Sequence, residues 1–214
     1  MSDDVHVVVF DLADVLLDFG GPASLARLSG GRAGPVEFSS LWSSPLADAL
    51  YRGRCTPRDF AADVVFRLSL PVSADQFLRA FASWFHGPFP GAVELVHEVR
   101  AKVPVACLSN TNPLDVARFR TELGMDELFD YCFFSNEIGL RKPDRECYEY
   151  VLQQLGFAEH PYRVTFLDDS PMNVDAARAA GMRAYEVRGT LQARSCLSAL
   201  GLVAGSVRPA PDER

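Results

Sequence analysis

The chain has 214 residues, 48% of them hydrophobic and 23% charged, with a formal net charge of −7. At about 150 residues per domain this length predicts one to two domains, and the balance excludes disordered, collagen-like and coiled-coil classes. The acidity argues against nucleic acid or anionic lipid as the main partner. Five cysteines without a C-x-x-C pair exclude a disulfide framework and zinc spacing. Cys107 and Cys132 lie in apolar runs and read as small buried hydrophobes. The start, MSDDVHVVVF, lacks a basic leader region, and no apolar run approaches the roughly 18 residues of a membrane span. These features predict a soluble, cytosolic protein.

Taken in chain order, the first element is an apolar run at 5–10, expected as a strand. The next stretch, 20–87, has weak strand signals and amphipathic segments at 46–51, 58–68 and 74–85, so it reads as a helical insertion. Gly20-Gly21 and His86-Gly87-Pro88 are its expected hinges. A helix is expected over 90–102, then a strand at 103–108. Asn112-Pro113 opens a second helix, with Asn as cap and Pro in the first turn. A strand at 131–134 precedes a helix over 144–155 that stops at Gly156. A strand at 163–167 precedes a helix opened by Ser170-Pro171 and stopped by Gly181, and a strand follows at 183–187. β-Branched and aromatic strands without strict alternation suit a parallel sheet covered on both faces. The fold class is therefore α/β, a Rossmann-like parallel sheet with helices inserted after the first strand. The expected division is 1–19 with 88–205 as the α/β core, 20–87 as the helical insertion, and 206–214 as a frayed tail.

In such sheets ligands bind beyond the carboxyl ends of the strands. Asp11-Leu12-Ala13-Asp14 follows the first strand, Ser109-Asn110 the second, Lys142 the third, and Asp168-Asp169 with Asn173 the fourth. Singly, each is an ordinary turn, cap or surface residue. Together they supply a carboxylate nucleophile, a hydroxyl donor, a cation and an acidic metal cradle, as phosphoryl transfer or a related displacement needs.

The four segments VVVFDLADVLLDF, ACLSN, GLRKPD and TFLDDSPMNVDAA, in this order, resemble the motifs of the haloacid dehalogenase superfamily. The resemblance covers nearly the whole chain and is nearest to bacterial sugar-phosphate phosphatases and to the N-terminal phosphatase domain of soluble epoxide hydrolase. It implies a helical cap at 20–87 and a Mg²⁺-dependent phosphatase of a small phosphorylated metabolite. Asp11 would be the nucleophile and would hold Mg²⁺ together with the Ala13 carbonyl and Asp169, supported by Asp168 and Asn173. Ser109 and the Asn110 backbone N–H would hold phosphate oxygens, and Lys142 would neutralise charge on the phosphoryl group. One position departs from the family pattern: Ala13 stands where an acid/base Asp is usual, and Asp14, one residue on, is expected to point elsewhere.

That departure keeps other readings open. One is a phospho-ligand-binding or regulatory protein on the same fold. Another is a 2-haloacid dehalogenase, which would use one of the arginines Arg27, Arg32, Arg52 or Arg54. Schiff-base hydrolysis is disfavoured because 20–87 holds no lysine. The aromatics Trp42, Trp84 and Phe85 read as core, with one of them a candidate for the pocket wall.

Overall fold

The computed structural model describes residues 5–204. Its main sheet contains β1 (Val7–Phe10), β4 (Val105–Ser109), β5 (Tyr131–Phe134), β6 (Val164–Asp168) and β7 (Arg183–Glu186), in the order β5-β4-β1-β6-β7. All pairings are parallel, with Val9 opposite Ala106 on one side and Phe166 on the other. Both faces are buried. Val8, Phe10, Val105 and Cys107 pack on one side with Leu95, Val99 and Phe119. Val7, Val9, Ala106, Leu108 and Phe166 pack on the other with Tyr148, Val151 and Val174. Double coverage is why these strands read as nearly continuous apolar runs.

The crossovers are helical. α6 (Ala92–Arg100) precedes β4, while α7 (Pro113–Thr121) and α8 (Met125–Leu128) join β4 to β5. α9 (Ser135–Ile138), α10 (Arg145–Gln154) and a 3-10 turn at Pro161–Arg163 lead to β6. α11 (Pro171–Ala179) joins β6 to β7, and α12 (Gly189–Ala199) follows. From central β1 the chain first builds β4 and β5 on one flank, then β6 and β7 on the other. The crevice beyond the carboxyl end of β1 is thus the topological switch point.

Between β1 and α6 lie β2 (Leu17–Phe19), five helices and β3 (Phe85–Pro88). The helices are α1 (Gly21–Leu28), α2 (Pro35–Leu41), α3 (Pro45–Tyr51), α4 (Pro57–Arg67) and α5 (Ala74–Phe81). They share their own apolar cluster around Leu41, Leu50, Phe60, Phe77 and Trp84. α4 and α5 open with reciprocal capping boxes, Thr56 with Asp59 and Ser73 with Gln76. The segment expected as a hinge, His86-Gly87-Pro88, is instead most of β3, which pairs antiparallel with β2. The two ends of the insertion are therefore tied into a short ribbon.

Polar contacts then pin the insertion over the sheet. Arg52 pairs with Asp144, Arg141 Nη1 lies 3.3 Å from Asp48, and Arg118 Nη1 donates to the Ala82 carbonyl at 2.7 Å. Gly53, at φ 67°, packs so closely on the Asn136 carbonyl that a Cβ would collide with it. Ser170, expected to open its helix as a cap, makes no side-chain cap bond, and neither does Asp144 at the start of α10. Asp144 is taken by Arg52, and at the start of α11 the carboxylate of Asp168 accepts from Ser170 N at 2.9 Å. The strand expected from residue 5 begins at Val7, and the one expected from 103 begins at Val105. The tail expected at 206–214 lies outside the described residues. No helix among the described residues is long and apolar enough to cross a membrane.

Candidate active site

The carboxyl ends of β1, β4 and β6 deliver Asp11, Ser109 and Asp168, and the loop before α10 delivers Lys142. Asp11 continues the β1–β6 pairing by donating its backbone N–H to the Leu167 carbonyl at 2.8 Å, which fixes its Cα. Its Oδ1 accepts from Leu12 N at 2.7 Å and lies 2.8 Å from Lys142 Nζ. The same ammonium donates to Asp168 Oδ2 at 2.6 Å. Lys142 is 1% exposed, Asp11 6% and Asp168 0%, so this is a buried carboxylate–ammonium–carboxylate ladder.

Lys142 is held at both ends. The Asn110 side-chain amide donates to the Lys142 carbonyl at 2.8 Å and accepts from its N–H at 2.9 Å. The ammonium also lies over the Phe166 ring, 5.4 Å from its centroid. Asp168 is held as firmly, accepting from Ser170 N at 2.9 Å and from Asn173 Nδ2 at 3.0 and 3.1 Å. Tyr148 steadies Asn173 by donating to its carbonyl at 2.9 Å. Asp169 sits at the edge and pairs with Arg188 at 3.0 Å.

Asp11, Asp168 and Asp169 bring one oxygen each within 4.8 Å of one another. Burial pushes Asp11 up to about 7 against the pull of Lys142, and Asp168 and Asp169 add repulsion. Asp169 is raised as well, by burial and then by Asp168 and Asp14. Burial opposes the charge on Lys142, yet the two carboxylates outweigh it and hold its pKa above the ordinary lysine value. Lys142 thus serves the two buried acids, and only the edge contact of Arg188 serves Asp169. The all-oxygen donor set, short of positive charge, fits a hard divalent cation such as Mg²⁺. Asp11 and Asp169 have room to hold it. Asp168 commits its oxygens to Lys142, Ser170 and Asn173, which leaves it a supporting place.

A cavity of about 490 Å³ opens over this cluster, with Ala13, Asp14, Asn110, Lys142, Asp169 and Asn173 on its sheet side. Asp14, expected to point elsewhere, lines it; the residue turns at φ 55° and its carbonyl accepts from Gly189 N at 2.7 Å. Ser109 closes β4 at 1% exposure, and its neighbour Asn110 lines the cavity rather than Ser109 itself. None of Arg27, Arg32, Arg52 and Arg54 lines this cavity, whereas Arg141 does. Trp42, Trp84 and Phe85 all line it, more than the single aromatic expected. Sequence reasoning missed Arg141 and Asp115. The available signals were adjacency to Lys142 for the first and a place in the first turn after the Asn112 cap for the second.

The family of haloacid dehalogenase-like hydrolases matches residues 5–181. Drimenol cyclase drtB of Aspergillus calidoustus is 29% identical over 84% of this chain, which spans only 33% of that protein's length. Sesquiterpene phosphatase astK of Aspergillus oryzae is 28% identical over 85% of this chain and 89% of its own. Among solved structures, the HAD family enzyme BT-2542 of Bacteroides thetaiotaomicron, in complex with magnesium and inorganic phosphate, superposes with a TM-score of 0.70. It is 21% identical and the match covers 86% of this chain and 94% of that one, a likeness that shows the fold. The family match covers most of the chain and takes in the strand ends that carry the acids and the serine and the loop that carries the lysine, so this protein belongs to the haloacid dehalogenase-like hydrolases.

Proposed function

We propose that the protein is a Mg²⁺-dependent phosphatase of small phosphorylated metabolites, working through an aspartyl-phosphate on Asp11. The observation that carries this reading is the buried ladder in which Lys142 joins Asp11 to Asp168, with Asp169 at cation distance. A phosphoryl dianion entering there needs cations and an aligned carboxylate: Lys142 and Asp11 are already oriented, and the positive charge still short beside Asp168 and Asp169 is what Mg²⁺ would supply. The likeness to a protein named a phosphatase lends support.

In this reading Asp11, Asp169 and the Ala13 carbonyl would hold Mg²⁺. Bound there, it would relieve the repulsion among the acids and withdraw charge from a phosphate oxygen. Lys142 orients Asp11 and neutralises the phosphoryl group. The Asn110 backbone N–H would steady a phosphate oxygen at the cavity wall, with Ser109 directly behind it at the end of β4. An Asp11 oxygen forms the new bond to phosphorus as the ester P–O bond breaks and the leaving oxygen takes a proton. Water then gives up a proton and attacks phosphorus, freeing Asp11 and inorganic phosphate. The inserted helices would act as a cap that excludes bulk water. The direct test is a phosphate-release screen over metabolite phosphates, with and without Mg²⁺ and with a 2-haloacid as control. Chloride release from the control without phosphate release from any ester would replace this reading by dehalogenation.

Metal binding has its own readout. At about a hundredfold excess over its dissociation constant, Mg²⁺ should raise the melting temperature by about 5–10 °C. Asp169→Asn should abolish that gain while the apo variant melts close to the apo parent. Identical melting of the parent in saturating Mg²⁺ and in chelator would remove the metal from the site.

Ala13 favours a second reading, a phospho-ligand-binding protein, because a methyl group cannot move the two protons just described. Ala13→Asp should therefore raise turnover by up to about 10²–10⁴, most for esters with poor leaving groups. If the parent already turns over such esters briskly, Asp14→Asn tests the adjacent residue's carboxylate, which lies in the cavity wall. Phospho-ligand binding with no turnover in either the parent or Ala13→Asp would establish the binding reading.

A further inference from the structure

The sheet side of the cavity is polar, but its opposite wall is built from rings: Phe19, Trp42, Tyr51, Phe81, Trp84 and Phe85. These residues come from β2, the end of α2, α3, α5 and β3, so the insertion and its ribbon converge on one face. The rings brace one another. Trp42 meets Tyr51 at 5.4 Å and Trp84 at 6.2 Å between centroids, and Phe19 meets Phe85 at 5.0 Å. Phe81 and Trp84 lock edge to face at 4.9 Å. Such a wall is preformed, and little side-chain freedom remains to be lost when a ligand lies against it. Met172, 66% exposed, adds a flexible apolar group at the rim.

Polar groups there are few: the hydroxyl of Tyr51 and the indole N–H groups of Trp42 and Trp84, the last buried without a partner, and three side chains. Arg141 lies over the Tyr51 ring, 5.5 Å from its centroid, and reaches Asp48. Asp115 accepts from the side chain of Asn112, and burial pushes it up to about 7, so it is partly neutral near neutral pH. Ser39 is left as an uncharged hydroxyl in the lining. A sugar presents hydroxyls around its whole ring, and most of them would lose water here without gaining a partner. A hydrocarbon would instead cover the rings.

The geometry points to phosphate monoesters of apolar alcohols as the substrate class, with the phosphoryl group at Asp11 and Lys142 and the hydrocarbon against the aromatic wall. This rests on the phosphatase reading above and narrows it to a substrate. The cavity, about 490 Å³, is within the range that holds ligands of drug size.

The test is kcat/KM of the full chain with Mg²⁺ for primary n-alkyl phosphates from ethyl to decyl, below their micellar concentrations, and for glucose 1-phosphate. Leaving-group acidity is nearly constant along the alkyl series and favours the sugar ester, so it cannot produce a preference for long chains. The expected result is a rise approaching about fourfold per added methylene until the wall is covered. Trp42→Ala should cost the octyl ester about tenfold more than the ethyl ester, and Met172→Ser on the exposed rim should act in the same direction. A flat alkyl series with glucose 1-phosphate preferred would overturn the apolar class and leave the phosphatase reading standing. Release from no ester would overturn the phosphatase reading. In that case binding of n-alkylphosphonates decides the wall by itself: affinity that climbs with chain length supports it, and affinity independent of length overturns it.

Discussion

Asp11→Asn should lower phosphate release by about 10⁴-fold or more, because it removes the atom expected to attack phosphorus. The amide retains one oxygen, which can still accept from Leu12 N and from Lys142, the two contacts that fix the carboxylate at 2.7 and 2.8 Å. It also removes one negative charge from a cluster of three acids. The variant should therefore fold and melt near the parent, and a circular-dichroism spectrum with a single melting transition checks that. Beryllium fluoride, a mimic of the phosphorylated carboxylate, should inhibit the parent and fail to bind the variant tightly. Turnover in Asp11→Asn above about one part in a hundred of the parent would mean that the bond to phosphorus forms elsewhere.

The positions of Asp11, Ser109 and Asp168 were legible because a parallel sheet is read off its apolar runs and the polar residue after each run marks a carboxyl end. Asn112 was legible for a local reason: its side chain accepts from Leu114 N and Asp115 N, as an Asn before Pro at a helix start does. Ser170 has the same local appearance before Pro171, yet its side chain makes no cap and the neighbouring Asp168 carboxylate closes the turn on the Ser170 N–H. Asp144 is drawn off its helix start by a tertiary partner, Arg52. The antiparallel ribbon was hidden because Gly87 and Pro88 read as punctuation, while the Leu17–Pro88 pairing joins segments far apart in the chain.

The aromatic wall was the least legible part. Phe81 and Trp84 sit three residues apart and are buried, so periodicity assigns them, like Phe77, to a core, which is where most of their surface lies. Only the packing of α3, α5 and both ribbon strands over the sheet brings the edges of such residues to the same cavity as Lys142 and Asp169. Asp14 was misjudged because its direction depends on a left-handed backbone step at φ 55°. Such a step is uncommon for a residue other than glycine and has no sequence signature here.

Lys142→Met should be the most disruptive single change to the fold among these variants, and should also lower turnover by about 10³–10⁵. Methionine matches the aliphatic stem but leaves Asp11 and Asp168 facing each other in a site where both are almost fully buried. Removing one partner of a buried ion pair costs about 3–5 kcal/mol, mainly because the remaining charge loses its partner. Here two carboxylates lose theirs together. Denaturant unfolding in chelator measures the loss without help from a metal. Adding Asp168→Asn to the same chain should recover much of that stability, since the amide can still accept from Ser170 N and carries no charge. It should recover none of the turnover, because the cation that would face the phosphoryl group in the proposed reaction is still missing. The two readouts of this double-mutant cycle thus separate what Lys142 does for the fold from what it does for the reaction. A Lys142→Met single variant within about 0.5 kcal/mol of the parent would show that the ladder does not stabilise the native state. Turnover restored in the double variant would take Lys142 out of the chemistry.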